Sequence, residues 1–159
     1  MRNFSLRRTG SEPRRTGERT DCPWGYYDVL DSGIVQSEEF CEKTICIFPG
    51  YATSLHRHAK RREIWQVESG VLTAIINGTR QDVHRNETLI IPIGAVHCMA
   101  NLSRLPVVVN EKQLGLCRED DLERLADSNG RSCTSPNQPS DQINLSLTLY
   151  REILENLQS

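Results

Sequence analysis

Four histidines occur in the chain, and three of them stand at spacings that could build a single metal site. His56 and His58 are two residues apart, and alternate residues of a β-strand point to the same face, so their imidazoles present side by side. Glu63 follows at the entry to the next β-type run. There Glu63, Trp65 and Val67 share a face by the same alternation, and that face is expected to be interior. A third imidazole, His97, comes from a later segment behind a Pro92-x-Gly94 turn that aims it. Three neutral imidazoles and one carboxylate form a mixed nitrogen and oxygen donor set. Such a set suits one divalent ion, Mn, Fe, Co, Ni or Zn, and leaves coordination positions open for water or substrate. Taken singly, each of these histidines reads as a hydrogen-bonded structural residue; together, His56, His58, Glu63 and His97 read as ligands. His84 lies in the polar stretch Arg80 to Arg85 and is expected to be solvated.

The elements that must position these residues are short. Candidate strands run over Gly25 to Leu30, Glu42 to Phe48, Glu63 to Glu68, Val71 to Ile76, Thr79 to Val83, Thr88 to Ile91, His97 to Ala100 and Pro106 to Gln113, an all-β pattern with the spacing of a sandwich or barrel. Asn77-Gly78 is a two-residue hairpin signal, because both central positions of that turn need positive φ. Asp31-Ser32-Gly33, Pro49-Gly50 and Ser69-Gly70 mark further turns. Beyond the strands, Glu119 to Leu125 carries acids in what would be the first turn of a short helix, where the helix dipole favours them. Residues 132–140 read as a linker, and Asp141 to Gln158 as an amphipathic helix. In that helix Ile143, Leu147, Tyr150, Leu154 and Leu157 recur at seam spacing, with Leu145, Leu149 and Ile153 widening the stripe. The stripe serves either to pack the helix on its own barrel or to dock a second copy or partner.

Composition narrows the classes. The 159 residues carry a formal charge of only -2, yet six arginines against Glu12 and Glu18 crowd the first twenty, so the remainder is acidic. Residues 1–21 read as a disordered basic leader, since they cannot bury enough apolar surface to offset their ordering entropy. No recognisable nucleic-acid fold follows the leader, so nucleic acid is not the expected partner. No apolar run is long enough to span a membrane, and no signal-peptide core opens the chain. The expected location is the cytoplasm, and six cysteines without a CxxC pair are then read as free thiols.

Two segments carry a family resemblance: Gly50-x5-His56-x-His58-x4-Glu63-x6-Gly70 and Asn86-x5-Pro92-x-Gly94-x2-His97-x3-Asn101. They resemble the two signature motifs of the cupin superfamily, with Asn86 where a glycine often opens the second. Asn is the next-best residue for positive φ. The resemblance implies an all-β double-stranded β-helix, a jelly-roll barrel, over residues 22–131 with a metal at its centre. Within that superfamily, Pro23-Trp24-Gly25-Tyr26-Tyr27-Asp28, Arg61-x-Glu63-x-Trp65, Glu111-x-Gln113, Glu119-Asp120-Asp121 and Gly130-Arg131 are similar to the type II phosphomannose isomerase cupin. That family interconverts mannose 6-phosphate and fructose 6-phosphate, often behind a guanylyltransferase domain. No glycine-rich nucleotide-binding segment precedes the cupin part here, so guanylyl transfer is not expected of this chain.

The same resemblance implies roles. The metal would act as Lewis acid, Glu111 near the barrel mouth would move the proton, and Lys60, Arg61 and Arg62 on the first motif's loop would hold a sugar phosphate, unless that charge run is a solvated loop. Cupins of this kind often form homodimers. Departures from the family fall at the site: His56 replaces a usual Gln, Ala59 and Lys60 and Ile64 replace histidines, and Cys98 replaces an arginine. Losing that arginine would remove a phosphate partner. Two other classes therefore stand beside the isomerase: a non-catalytic sugar- or partner-binding cupin, and a cupin dioxygenase.

Overall fold

The computed structural model describes residues 16–118 and 120–159. Among them, two antiparallel sheets face each other. The first runs in the order β1 (Arg19–Cys22), β2 (Gly25–Val35), β3 (Glu38–Ile47), β10 (Val107–Gly115), β5 (Arg61–Ser69) and β8 (Thr88–Ile91). The second runs β11 (Glu123–Ala126), β4 (Leu55–Arg57), β9 (His97–Ala100), β6 (Leu72–Ile76) and β7 (Thr79–Val83). This is the expected all-β barrel. A helix, α1 (Asp141–Gln158), follows, and no helix among the described residues is long and apolar enough to cross a membrane.

Alternation along β5 explains how the first sheet faces the core: Arg61, Glu63, Trp65 and Val67 are buried while Arg62, Gln66 and Glu68 face solvent. Between the sheets lie Val29, Ile45, Ile47, Trp65, Val67, Leu72, Ile91, Val107 and Val109. Each large side chain contributes about 1.5–3 kcal/mol on burial. The second sheet differs because both its faces are covered, and every residue of β9 is buried. Its outer face packs Leu55, Ile75, Val96, Cys98, Ala100 and Leu125 against Ile143, Tyr150 and Ile153 of α1.

Local chemistry starts and fixes that helix. Ser140 caps it, its hydroxyl accepting from Ile143 N at 3.2 Å. Ser146 Oγ accepts from Gly78 N at 2.7 Å, and Tyr150 Oη donates to Thr53 O at 2.9 Å. Most of the apolar stripe is thus taken up by its own barrel, while Leu145 stays exposed. The hairpin between β6 and β7 turns at Asn77 (φ 45°) and Gly78 (φ 79°), as the Asn-Gly pair requires.

Three expectations need correction. Residues from Glu119 to Leu125 do not form a short helix: Glu119 lies outside the described residues, and Glu123–Ala126 is strand β11, paired with β4. Helical charge pattern yields there to tertiary pairing, since Glu123 reaches Arg57 at 2.6 Å and Leu125 enters the outer cluster. Asp31-Ser32-Gly33 is not a turn but continues β2; the chain reverses at Gln36 and Ser37, both at positive φ. The basic leader, expected as residues 1–21, does not stay irregular to its end. Arg19–Cys22 pairs with β2, and Arg19 makes a two-pronged bond to Asp28 at 2.7 and 2.8 Å. The leader's residues 1–15 lie outside the described residues.

Candidate metal centre

Strand pairing brings the histidines together. His56 on β4 stands in register with His97 on β9, so both rings enter the barrel from one sheet. His58 joins them from just beyond the end of β4. Ring centroids are 4.4 Å apart for His56 and His97, 5.0 Å for His56 and His58, and 5.2 Å for His58 and His97. One nitrogen from each of the three lies within 4.8 Å of the others, a group able to hold a metal ion.

The backbone sets which nitrogen that is. His56 Nδ1 lies 2.8 Å from Ser54 O, His97 Nδ1 lies 2.8 Å from Ala95 O, and His58 Nδ1 bonds Asp121 O. A carbonyl oxygen can only accept, so in each ring Nδ1 carries a hydrogen and Nε2 is the nitrogen turned toward the centre. Burial, with His97 and His58 beside it, holds His56 well below the usual imidazole range, so it is neutral and able to bind metal. His97 Nε2 is buried without a hydrogen-bond partner. The donor set and this orphaned atom fit a divalent ion.

Glu63 lies beside the rings, with Oε1 3.2 Å from His58 Nε2 and Oε2 3.5 Å from His97 Nε2. Trp65 Nε1 donates to its Oε2 at 3.0 Å, and Arg61 Nε to its Oε1 at 3.1 Å. Burial alone would raise this carboxyl, but His58, His97 and Arg61 hold it well below the usual range, and it is ionised. The guanidinium of Arg61 also reaches His58 Nε2 at 3.0 Å.

One strand further, Glu111 pairs in register with Trp65 on β5 and with Lys43 on β3. Burial pushes its carboxyl up to about 8, the Glu63 charge adding to the effect and Lys43 opposing it. Gln113 Nε2 donates to Glu111 Oε2 at 3.1 Å.

These groups other than His58 line a cavity of about 120 Å³ between the sheets. His56, Glu63, His97, Glu111 and Arg61 all reach it, as do Lys43, Gln113, Arg124 and Arg131. Gln113 Oε1 and Arg124 Nε, like His97 Nε2, are buried there without a hydrogen-bond partner. Of the three cations expected to hold a phosphate, only Arg61 faces this space. Lys60 is exposed, and Arg62 points outward to Glu38 at 2.7 Å, because odd-numbered residues of β5 turn inward.

Sequence reasoning missed Lys43 and Arg124, and it singled out Arg131 only as part of the family resemblance. Lys43 had a legible signal, a lysine between Cys41 and Ile45 at an inward position, and it stands 4.4 Å from the Tyr27 ring centroid. Arg124 had none, since only its register with His56 brings it inward. Cys98, where the resemblance puts an arginine, points away from the cavity into the cluster under α1, and burial pushes its thiol up to about 12. Its replacement therefore removes no cation from the cavity. None of the six cysteines forms a disulfide, and His84 is exposed.

Comparison with known proteins agrees with this architecture. The chain is 37% identical over 110 residues to the mannose-1-phosphate guanylyltransferase ManC of Salmonella typhimurium, covering 69% of this chain and 22% of that protein. It is 38% identical over 111 residues to the alginate biosynthesis protein AlgA of Pseudomonas aeruginosa, covering 69% and 22% respectively. It thus spans about a quarter or less of the length of these relatives. An RmlC-like cupin from Shewanella frigidimarina superposes with a TM-score of 0.54 at 17% identity, over 65% of this chain and 87% of the other, and shares the fold. Residues 10–127 match the family described as mannose-6-phosphate isomerase C-terminal. With both motifs folded around three convergent histidines and with that match spanning most of its length, the chain belongs to the mannose-6-phosphate isomerase C-terminal family of cupins.

Proposed function

We propose that the protein is a metal-dependent sugar-phosphate isomerase interconverting mannose 6-phosphate and fructose 6-phosphate. The observation that carries this reading is the cavity itself: one space between the sheets offers an imidazole nitrogen, an amide oxygen and a guanidinium nitrogen without partners, beside the buried carboxyl of Glu111. That combination suits a polyhydroxy, phosphorylated ligand and a proton transfer.

His56, His58 and His97 would hold one divalent ion, Mn, Fe, Co, Ni or Zn, with Glu63 as the fourth ligand. Bound there, the ion supplies Lewis-acid stabilisation of the sugar's carbonyl and neighbouring hydroxyl oxygens. Glu111 is the proton carrier. Its ionised form takes the proton from C2 of the aldose and returns it to C1, while a proton passes from O2 to O1; no atom is gained or lost. Burial beside the Glu63 carboxylate raises Glu111 above the usual carboxyl range, toward that in which such a group can both take and return a proton. Gln113 Oε1 accepts from a sugar hydroxyl. Arg124, with Lys43 and Arg131, takes the phosphate in place of the exposed Lys60 and Arg62. The same reading has the protein working in the cytoplasm as a homodimer.

Arg61 favours a second reading. Its guanidinium already engages Glu63 and His58 Nε2, so a barrel that uses Arg61 as its internal cation would bind a sugar phosphate without turning it over. A coupled assay for fructose 6-phosphate, run on protein loaded in turn with each metal, separates the two. Turnover that depends on metal supports the isomerase. Saturable binding of mannose 6-phosphate without turnover under any metal supports the second reading.

A further inference from the structure

We infer that Asp121 is the positioning residue of this centre, fixing both the tautomer of His58 and the loop that carries it. The inference rests on the metal-site reading above and adds a residue to it. His56 and His97 lie in β4 and β9, whose pairing holds their backbones. His58 has no such support: it sits one residue past β4, in the turn before β5, yet its side chain is only 2% exposed.

Asp121 supplies what the sheet does not. Its backbone oxygen accepts from His58 Nδ1. Its carboxylate accepts from two consecutive amides of the same turn, Ala59 N at 3.0 Å to Oδ1 and Lys60 N at 2.9 Å to Oδ2. From the opposite side, Gly94 N donates to His58 O at 2.8 Å, so the turn is gripped between the second motif and Asp121. The neighbouring residues reinforce the strap: Glu123 holds Arg57 at 2.6 Å, and Arg118 O accepts from Arg61 Nη1 at 3.3 Å. The carbonyl is main chain and stays in any variant; the carboxylate's two bonds to the turn are what keep His58 Nδ1 in reach of it, and loss of a ligand histidine's second-nitrogen partner typically weakens metal binding 10–100-fold.

The test compares the full chain with Asp121→Ala and Asp121→Asn. The asparagine keeps one acceptor but turns a donor toward the other amide, so its effect is intermediate. Long-range 1H–15N spectra of the metal-free protein read the His58 tautomer, and Co2+ affinity is read by competition with a chromogenic chelator. The expected result is an Nδ1–H tautomer in the native protein, mixed tautomers in the variants, and Co2+ binding about 10–100-fold weaker in Asp121→Ala. An Nε2–H tautomer in the native protein overturns the inference, as does a variant that keeps both tautomer and affinity. Should Asp121→Ala not fold, Asp121→Asn decides by the same two readings. Native protein that takes up no Co2+ counts against the metal site, and the tautomer spectra then judge Asp121 separately.

Discussion

Strand β9 borders two regions of opposite character. Its inward residues, His97 and Met99, face the cavity; its outward ones, Cys98 and Ala100, lie under α1. On the inner side Lys43, Arg61, Glu63 and Glu111 are all buried, and ionisable groups placed there cost stability unless each is paired. On the outer side Leu55, Ile75, Ile143 and Ile153 meet in a cluster that holds no acidic or basic side chain, and their burial stabilises the fold directly. The difference teaches that the helix does more than close the chain: an outer apolar cluster offsets what the polar interior costs.

Substitutions on the two sides should therefore separate activity from stability. The largest effect is expected from Glu111→Gln, which removes the proposed proton carrier and should lower the proposed isomerisation rate by about 10²–10⁴-fold in the coupled assay. A variant that keeps full activity would take Glu111 out of the chemistry. Next, Ile153→Ala on the outer side should lose about 2–5 kcal/mol in denaturant unfolding while leaving metal affinity unchanged. A change in metal affinity of similar size would break the separation between the regions.

A smaller effect of opposite sign sharpens the comparison. In the metal-free fold Glu111 is raised to about 8 from an unfolded value of roughly 4.3. Such a carboxyl costs nothing below the unfolded value, and its cost grows until pH passes the folded value. Glu111→Gln should therefore stabilise the metal-free protein by a few kcal/mol at pH 8 and by almost nothing at pH 4, as read by denaturant midpoints at the two pH values. Equal midpoints for variant and native protein at pH 8 would contradict the assignment of a buried, raised carboxyl.

What the sequence made legible follows from local geometry. The i, i+2 rule placed His56 and His58 together, and the same alternation put Glu63, Trp65 and Val67 inside. The Asn77-Gly78 turn and the apolar stripe of α1 were equally readable, because each is decided within a few residues. The cavity cations were not, since they depend on register between distant strands: Lys43 reaches the site beside Glu111, and Arg124 beside His56. Residues 119–125 misled for the same reason. Their acids suit a helix start, but pairing with β4 fixes them as the strap and strand that hold the first motif.

The central claim, one metal on three imidazoles inside the barrel, is tested most directly by metal titration of the native protein and of the His58→Ala/His97→Ala double variant. The account predicts about one equivalent of divalent ion bound by the native chain and none by the variant. Native protein that refuses Mn, Fe, Co, Ni and Zn alike, or a variant that binds as the native chain does, would contradict it.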